Sequence, residues 1–195
     1  MKRDVKKTQA ANGAIRIISG QWRGRKLPVM DVQGLRPTTD RNKETLFNWL
    51  MAHTQNSRCL DAFAGSGGLG FEALSRYAKH VTFIELDKKV AANLRNNLTN
   101  LKVSTQSAEV ICADSLRYLA KLEDSFDLIF LDPPFHKNLL PGAIEKIQHQ
   151  GLLNENGLIY IECETQNAQY TVPSNWRLLK QNQSSQVTAN LYQAD

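Results

Sequence analysis

At 195 residues, 42% hydrophobic and 22% charged, the chain has the size and composition of one soluble globular domain, neither disordered nor fibrous. No apolar run approaches the roughly 20 residues of a membrane span, and the start, MKRDVKKTQAANG, lacks the apolar stretch of a secretory signal. Residues 1–43 hold eleven Lys and Arg against three acids, a net +8, whereas the remainder carries −3, so a polyanionic partner is expected to meet the head.

Residues 1–12 read as a disordered basic tail. AIRIISGQWRGRKLPV, 14–29, gives two short β-like runs around Gly20 and Gly24, a hairpin signal. Gly34 and Pro37 punctuate the chain, and Thr39 or Asp40 is placed to cap a helix over 41–52. In that helix Leu46, Trp49 and Leu50 recur at helical spacing with Phe47 alongside, which predicts one buried stripe.

From residue 58 strands and helices alternate. The pattern predicts strands at 58–63, 81–85, 109–113, 126–131 and 157–163, with helices at 68–77, 88–100, 115–121 and 138–150. Five strands with helical crossovers make a doubly wound, mostly parallel α/β sheet. The end differs, because 176–181 and 186–192 flank a polar turn and predict an antiparallel hairpin. The domain division expected is a tail at 1–12, an N-terminal extension at 13–40 and a main domain at 41–195. Cys59, Cys112 and Cys163 are too widely spaced for a metal knuckle, and an odd number leaves no complete disulfide set. Each sits among apolar residues and is expected to be a reduced core side chain, in a cytoplasmic protein without a metal. His53, His80, His136 and His149 are scattered without ligand spacing, which assigns them surface or helix-end roles.

Two segments carry chemistry. In LDAFAGSGGLG, 60–70, the glycines Gly65, Gly67 and Gly70 match a dinucleotide fingerprint between a strand and a helix. Such glycines also make tight turns in chains that bind no nucleotide. Glu85 follows 20 residues beyond Gly65 at a strand end, where a carboxylate accepts ribose hydroxyls. Asp61 stands at the tip of the first strand of this series. A carboxylate there repels a pyrophosphate and attracts a cation, which favours S-adenosylmethionine, with its ammonium and sulfonium, over NAD and a hydride-transferring oxidoreductase. Asp114 follows the third strand, where it either meets an adenine amine or caps the next helix.

The second segment is IFLDPPF, 129–135, a strand ending in Asp132, Pro133, Pro134 and Phe135. Prolines fix φ and remove backbone donors, so a carbonyl can face a bound group without competition. Such a tip suits methylation of an exocyclic amine, whose lone pair is delocalised into its ring. The Asp132 side chain and the Pro133 carbonyl can take its two N–H bonds and steer the lone pair toward the methyl. Phe135 offers a stacking face for a base drawn out of its helix.

With these residues placed, the chain resembles the class I, Rossmann-like methyltransferases that use S-adenosylmethionine. More narrowly it resembles the RsmD family, which methylates N2 of one guanine in small-subunit (16S) ribosomal RNA. The likeness runs from about Ile15 to the C-terminus through RIISGQWRGRKL, GLRPTTDRNKETLFNWL, LDAFAGSGGLGFEALSR, FIELD and LDPPF. It implies that Asp61, Phe63, Gly65 and Gly67 line the cofactor, that Glu85 binds its ribose, and that Asp114 approaches its adenine. It implies that Asp132 to Phe135 hold the target guanine. Arg16, Arg23, Arg25, Lys26, Arg36 and Arg41 would contact RNA, either free or in an assembling 30S particle, with no obligate protein partner. Alternatives on the same residues are an adenine-N6 methyltransferase of DNA or RNA, a glutamine-amide methyltransferase, and a non-catalytic RNA-binding assembly factor.

Overall fold

Two short strands, β1 (Ala14–Arg16) and β2 (Lys26–Pro28), pair antiparallel, with Ile15 opposite Leu27 and Arg16 opposite Lys26. That register sends the two apolar residues to one face and the two cations to the other. The computed structural model describes residues 13–30, 40–167 and 170–195. The expected tail at 1–12, the punctuation at Gly34 and Pro37, the Thr39 cap and Arg36 lie outside the described residues. Buried Ile15, Ile17, Leu27 and Val29 join the same apolar cluster as one face of the main sheet.

Helix α1 (Asp40–Trp49) buries Leu46 and Phe47, with Leu50 buried just beyond its end and Trp49 half-buried against the core. It stops short of the predicted 52. Five parallel strands then alternate with helices: β3 (Arg58–Asp61), α2 (Gly68–Ser75), β4 (His80–Glu85), α3 (Lys88–Asn100), β5 (Ala108–Cys112), α4 (Ser115–Leu119), β6 (Phe126–Leu131), α5 (Leu140–Gln150) and β7 (Leu153–Glu164). The hairpin β8 (Trp176–Gln183) and β9 (Val187–Ala194) closes the chain, with β9 lying antiparallel between β7 and β8. The sheet order is β5-β4-β3-β6-β7-β9-β8. The chain winds outward from β3 to β5, then returns to the other side of β3 at β6. That reversal opens a crevice at the carboxyl ends of β3 and β6, the usual ligand position in open α/β sheets.

Alternation along the strands feeds two cores. Cys59, Leu128 and Leu158 face α1, α2, α3 and the N-terminal hairpin, whereas Leu60, Ile129 and Ile159 face α4 and α5. All eight residues of α2 are buried. Its C-terminal neighbour Arg76 lies 4.9 Å over the Phe47 ring of α1, a cation–π contact tying two helices of one layer.

Three expectations are corrected. Cys112 is exposed, unlike buried Cys59 and Cys163, although all three are free thiols. It ends β5, the edge strand, where only one side is paired and helical cover runs out. Helix α5 starts at Leu140 rather than 138, because Asn138 takes a left-handed backbone at φ 49° and Pro141 occupies the first turn. Strand β7 starts four residues before the predicted 157, pairing Leu153 with Phe126 before its register shifts to Leu128–Leu158.

Candidate active site

A cavity of about 870 Å³ occupies the crevice, lined among others by Asp61, Phe63, Gly65, Glu85, Asp114 and all of Asp132–Phe135. Nearly every predicted cofactor residue and all four of the predicted base-holding residues therefore meet in one space. Gly67 does not line it. At φ 80° Gly67 caps α2, and a Cβ there would come within 2.5 Å of the Phe71 ring. Gly70 is likewise a packing glycine, since its Cβ would fall 2.2 Å from Phe83. Only Gly65 of the three fingerprint glycines faces the ligand space.

The loop is held by two carboxylates. Asp61 Oδ2 accepts the Gly70 amide at 3.0 Å, which satisfies a donor in the first turn of α2. Glu85 accepts the Gly65 amide on Oε2 at 2.8 Å and the Asp87 amide on Oε1 at 2.7 Å. A carboxylate oxygen has two lone pairs, so Glu85 can fix the loop and still receive ribose hydroxyls. Asp114 caps α4, its Oδ1 accepting the Arg117 amide at 2.9 Å, and also lines the cavity, so the two sequence readings are compatible.

Among the described residues six carboxylates line the space (Asp61, Glu85, Asp87, Asp114, Asp132 and Glu162) against three lysines (Lys88, Lys89 and Lys137). Burial pushes the Asp61 carboxyl up to about 7, opposed by the Gly70 amide and reinforced by the charge of Glu85. A bound cation would reverse that burial penalty, which is why this donor set fits a positively charged nucleoside and disfavours a pyrophosphate.

In the turn after β6, Asp132 is half-buried, Pro133 buried and Phe135 half-buried. The turn is pinned to β7: the His136 amide donates to Glu164 Oε2 at 3.1 Å, and His136 Nε2 lies 3.0 Å from Glu164 Oε1. His136, with a left-handed φ of 62°, thus has a place at the cavity wall that its sequence context did not suggest. Glu162 was also missed. It interrupts the apolar strand IYIE on the face shared by Leu158 and Tyr160, and that misplaced charge was the available signal. Asn42, from α1, reaches the same cavity.

Arg16, Arg23, Arg25 and Lys26 are all exposed on the hairpin, and Arg41 is exposed at the start of α1. Lys43, counted in the basic head, turns inward instead: it is 2% exposed, donates to the Arg16 carbonyl at 2.6 Å and pairs with Asp40 at 3.3 Å.

The family described as conserved hypothetical protein 95 matches residues 15–193. A ribosomal RNA small subunit methyltransferase D of Haemophilus influenzae is 54% identical over 97% of this chain and all of its own length. One from Escherichia coli is 47% identical over 97% of this chain and 95% of its own. Among solved structures, a putative methyltransferase of Escherichia coli superposes with a TM-score of 0.87 at 46% identity, covering 94% of this chain and 99% of that one. A putative methylase of Haemophilus influenzae gives 0.82 at 51% identity, covering 93% and 99%.

Proposed function

The chain belongs to the RsmD family of ribosomal RNA methyltransferases, and from that premise we propose that it methylates the exocyclic N2 of a guanine in small-subunit ribosomal RNA, using S-adenosylmethionine. The observation that carries this reading is that one cavity is lined both by Gly65 and Glu85 and by Asp132 to Phe135. When bound, S-adenosylmethionine supplies an electrophilic methyl group on a sulfonium.

Each residue of the site then has a task. Glu85 receives the ribose hydroxyls while holding Gly65, and Asp114 approaches the adenine. Phe63 lines the wall beside them. Asp61 and the neighbouring acids favour the cationic end of the cofactor. The Asp132 carboxylate and the Pro133 carbonyl accept the two N–H bonds of the target amine, and Phe135 stacks on its ring. That restraint would turn the nitrogen lone pair toward the methyl group that the bound cofactor would supply, for in-line displacement with the sulfonium sulfur as the leaving group. The amine then sheds its extra proton to the Asp132 carboxylate. Arg16, Arg23, Arg25, Lys26 and Arg41, with Arg36, supply phosphate contacts that carry affinity rather than base choice. A ribosomal substrate would place this work in the cytoplasm.

The test is transfer of tritium from labelled cofactor into fractionated cellular RNA, followed by digestion to nucleosides. Label is expected as N2-methylguanosine in small-subunit RNA. Label recovered as N6-methyladenosine, or confined to another RNA, would overturn the reading.

A further inference from the structure

We propose that Glu162 selects the base: it is a second carboxylate beside Asp132 that accepts the ring N1–H of guanine and turns adenine and cytosine away. This rests on the guanine-N2 reading above and adds to it the residue and the edge of the base that enforce it.

The placement follows from register. Strands β6 and β7 run parallel with Leu131 opposite Ile161, so the next residues along, Asp132 and Glu162, emerge side by side at the carboxyl edge of the sheet. Both line the cavity that holds Phe135. On β7, Leu158, Tyr160 and Glu162 share one face, and the first two are core residues. Glu162 is 5% exposed, and the Tyr160 hydroxyl donates to its Oε2 at 2.5 Å. Burial, with the charges of Glu162 and Asp132 nearby, holds the Tyr160 hydroxyl well above its usual range, so it stays a donor and fixes the carboxylate in place. A carboxylate on a buried strand face is costly unless it has donors to meet. The Tyr160 hydroxyl is one such donor, and Glu162 lines the same cavity as Asp132 and Phe135.

Base chemistry completes the argument. Three common bases carry an exocyclic amine. In adenine the Watson–Crick ring nitrogen beside the amine is N1, an acceptor, and in cytosine it is N3, also an acceptor. Guanine alone places a ring N–H there. Two adjacent carboxylates therefore match the N2–H and N1–H donors of guanine, while either other base would set a lone pair against Glu162. A site built around a substrate hydrogen bond rejects analogues lacking that group far more strongly than an apolar pocket can.

The test uses small-subunit particles reconstituted on RNA that carries either guanine or 2-aminopurine at the position mapped by labelling. 2-Aminopurine keeps the exocyclic amine but has an acceptor at N1. The wild-type protein is expected to prefer guanine in kcat/KM by at least about 100-fold. Glu162→Gln can turn an amide N–H toward that acceptor, and the preference is expected to fall by at least about 10-fold. Cofactor affinity by calorimetry, unchanged within about twofold, certifies a folded variant. Equal losses on both bases, or no loss on either, would overturn the role of Glu162 while leaving guanine methylation intact. Failure of the wild-type protein to methylate guanine would instead overturn the function itself. Should Glu162→Gln not fold, Tyr160→Phe frees the carboxylate and is expected to lower the preference by about threefold; an unchanged ratio there would likewise overturn the assignment.

Discussion

Glu72 of α2 accepts a hydrogen bond from the backbone amide of Ile18 at 2.8 Å. The same buried carboxylate takes the Ser19 amide at 3.0 Å and the Arg76 Nε at 2.8 Å. Ser75 adds a second tie, its hydroxyl donating to the Ser19 carbonyl at 2.6 Å and accepting the Trp22 amide at 3.1 Å. Gly20 lies so close, at φ 78°, that a Cβ there would be 1.9 Å from the Ser75 carbonyl oxygen. On the far side Asn93 and Asn97 of α3 both donate to the Pro28 carbonyl, at 2.9 and 3.1 Å. The hairpin is therefore fixed on the body and its exposed cations are presented at set positions.

From that placement, replacing Arg23 and Arg25 together is expected to weaken RNA binding and to flatten its log–log salt slope by about 1–2 units. Cofactor affinity should not change, because neither side chain lines the cavity. Binding measured across a salt series decides it: an unchanged slope would mean these arginines only solvate a surface.

Glu85→Ala is expected to weaken S-adenosylmethionine binding by about 1.5–3 kcal/mol, the range of charge-assisted hydrogen bonds. The loss combines ribose contacts with release of the Gly65 and Asp87 amides that the carboxylate now holds. Calorimetry on the folded variant is the measurement, and full affinity would remove Glu85 from the site.

Asp132→Ala is expected to slow methyl transfer at least about 100-fold, the scale of losing a preorganised electrostatic partner. Cofactor binding should change much less, since Asp132 is assigned to the target amine and Glu85 to the ribose. Phe135→Ala should also lower turnover through lost stacking, worth about 1–3 kcal/mol per base. Single-turnover rates with saturating cofactor separate these effects, and near-normal turnover of Asp132→Ala would refute the amine-holding role.

Asp61 gives the apoprotein a pH dependence of definite sign. Its carboxyl holds a proton up to about 7 when folded, against 3.8 ordinarily. Between those values the folded chain binds more protons than the unfolded chain, so stability falls as pH rises through the window and levels off above it. Asp61→Asn keeps an acceptor for the Gly70 amide and abolishes the titration. Relative to wild type it should gain stability from pH 4 to pH 8, by at most on the order of 4 kcal/mol. Urea unfolding at both ends of the range measures the gap, and a gap independent of pH would show that Asp61 ionises normally.

Much of this molecule was legible in residue order because local chemistry and tertiary structure agree. Helix α3 spans Lys88–Asn100 as predicted, since Asp87 caps it by accepting the Lys89 and Val90 amides and apolar Val90, Leu94 and Leu98 recur on its inner face. The cavity residues Asp61, Glu85 and Asp132 were legible because strand ends in a doubly wound sheet converge. Features that depend on neighbours distant in sequence were not. Gly67 matches a binding pattern, yet its lack of a side chain serves Phe71 and Leu94. Lys43 counts as surface charge until the Arg16 carbonyl is placed beside it. Glu162 was hidden inside an apolar run, and only the β6–β7 register sets it against Asp132.

The complete burial of α2 bears on how the chain can be divided. One side of that helix rests on the sheet and the other is roofed by the hairpin, whose Ile15, Ile17, Leu27 and Val29 share its apolar cluster. The hairpin is thus part of one cooperative unit rather than a detachable arm. A fragment beginning at Asp40 would leave the roof of α2 open to water and the Glu72 carboxylate without two of its donors. Amides of Ile18 and Ser19 should exchange with solvent at the pace of global opening rather than that of a surface loop. Grafting this cationic element onto another methyltransferase would mean transplanting its socket as well.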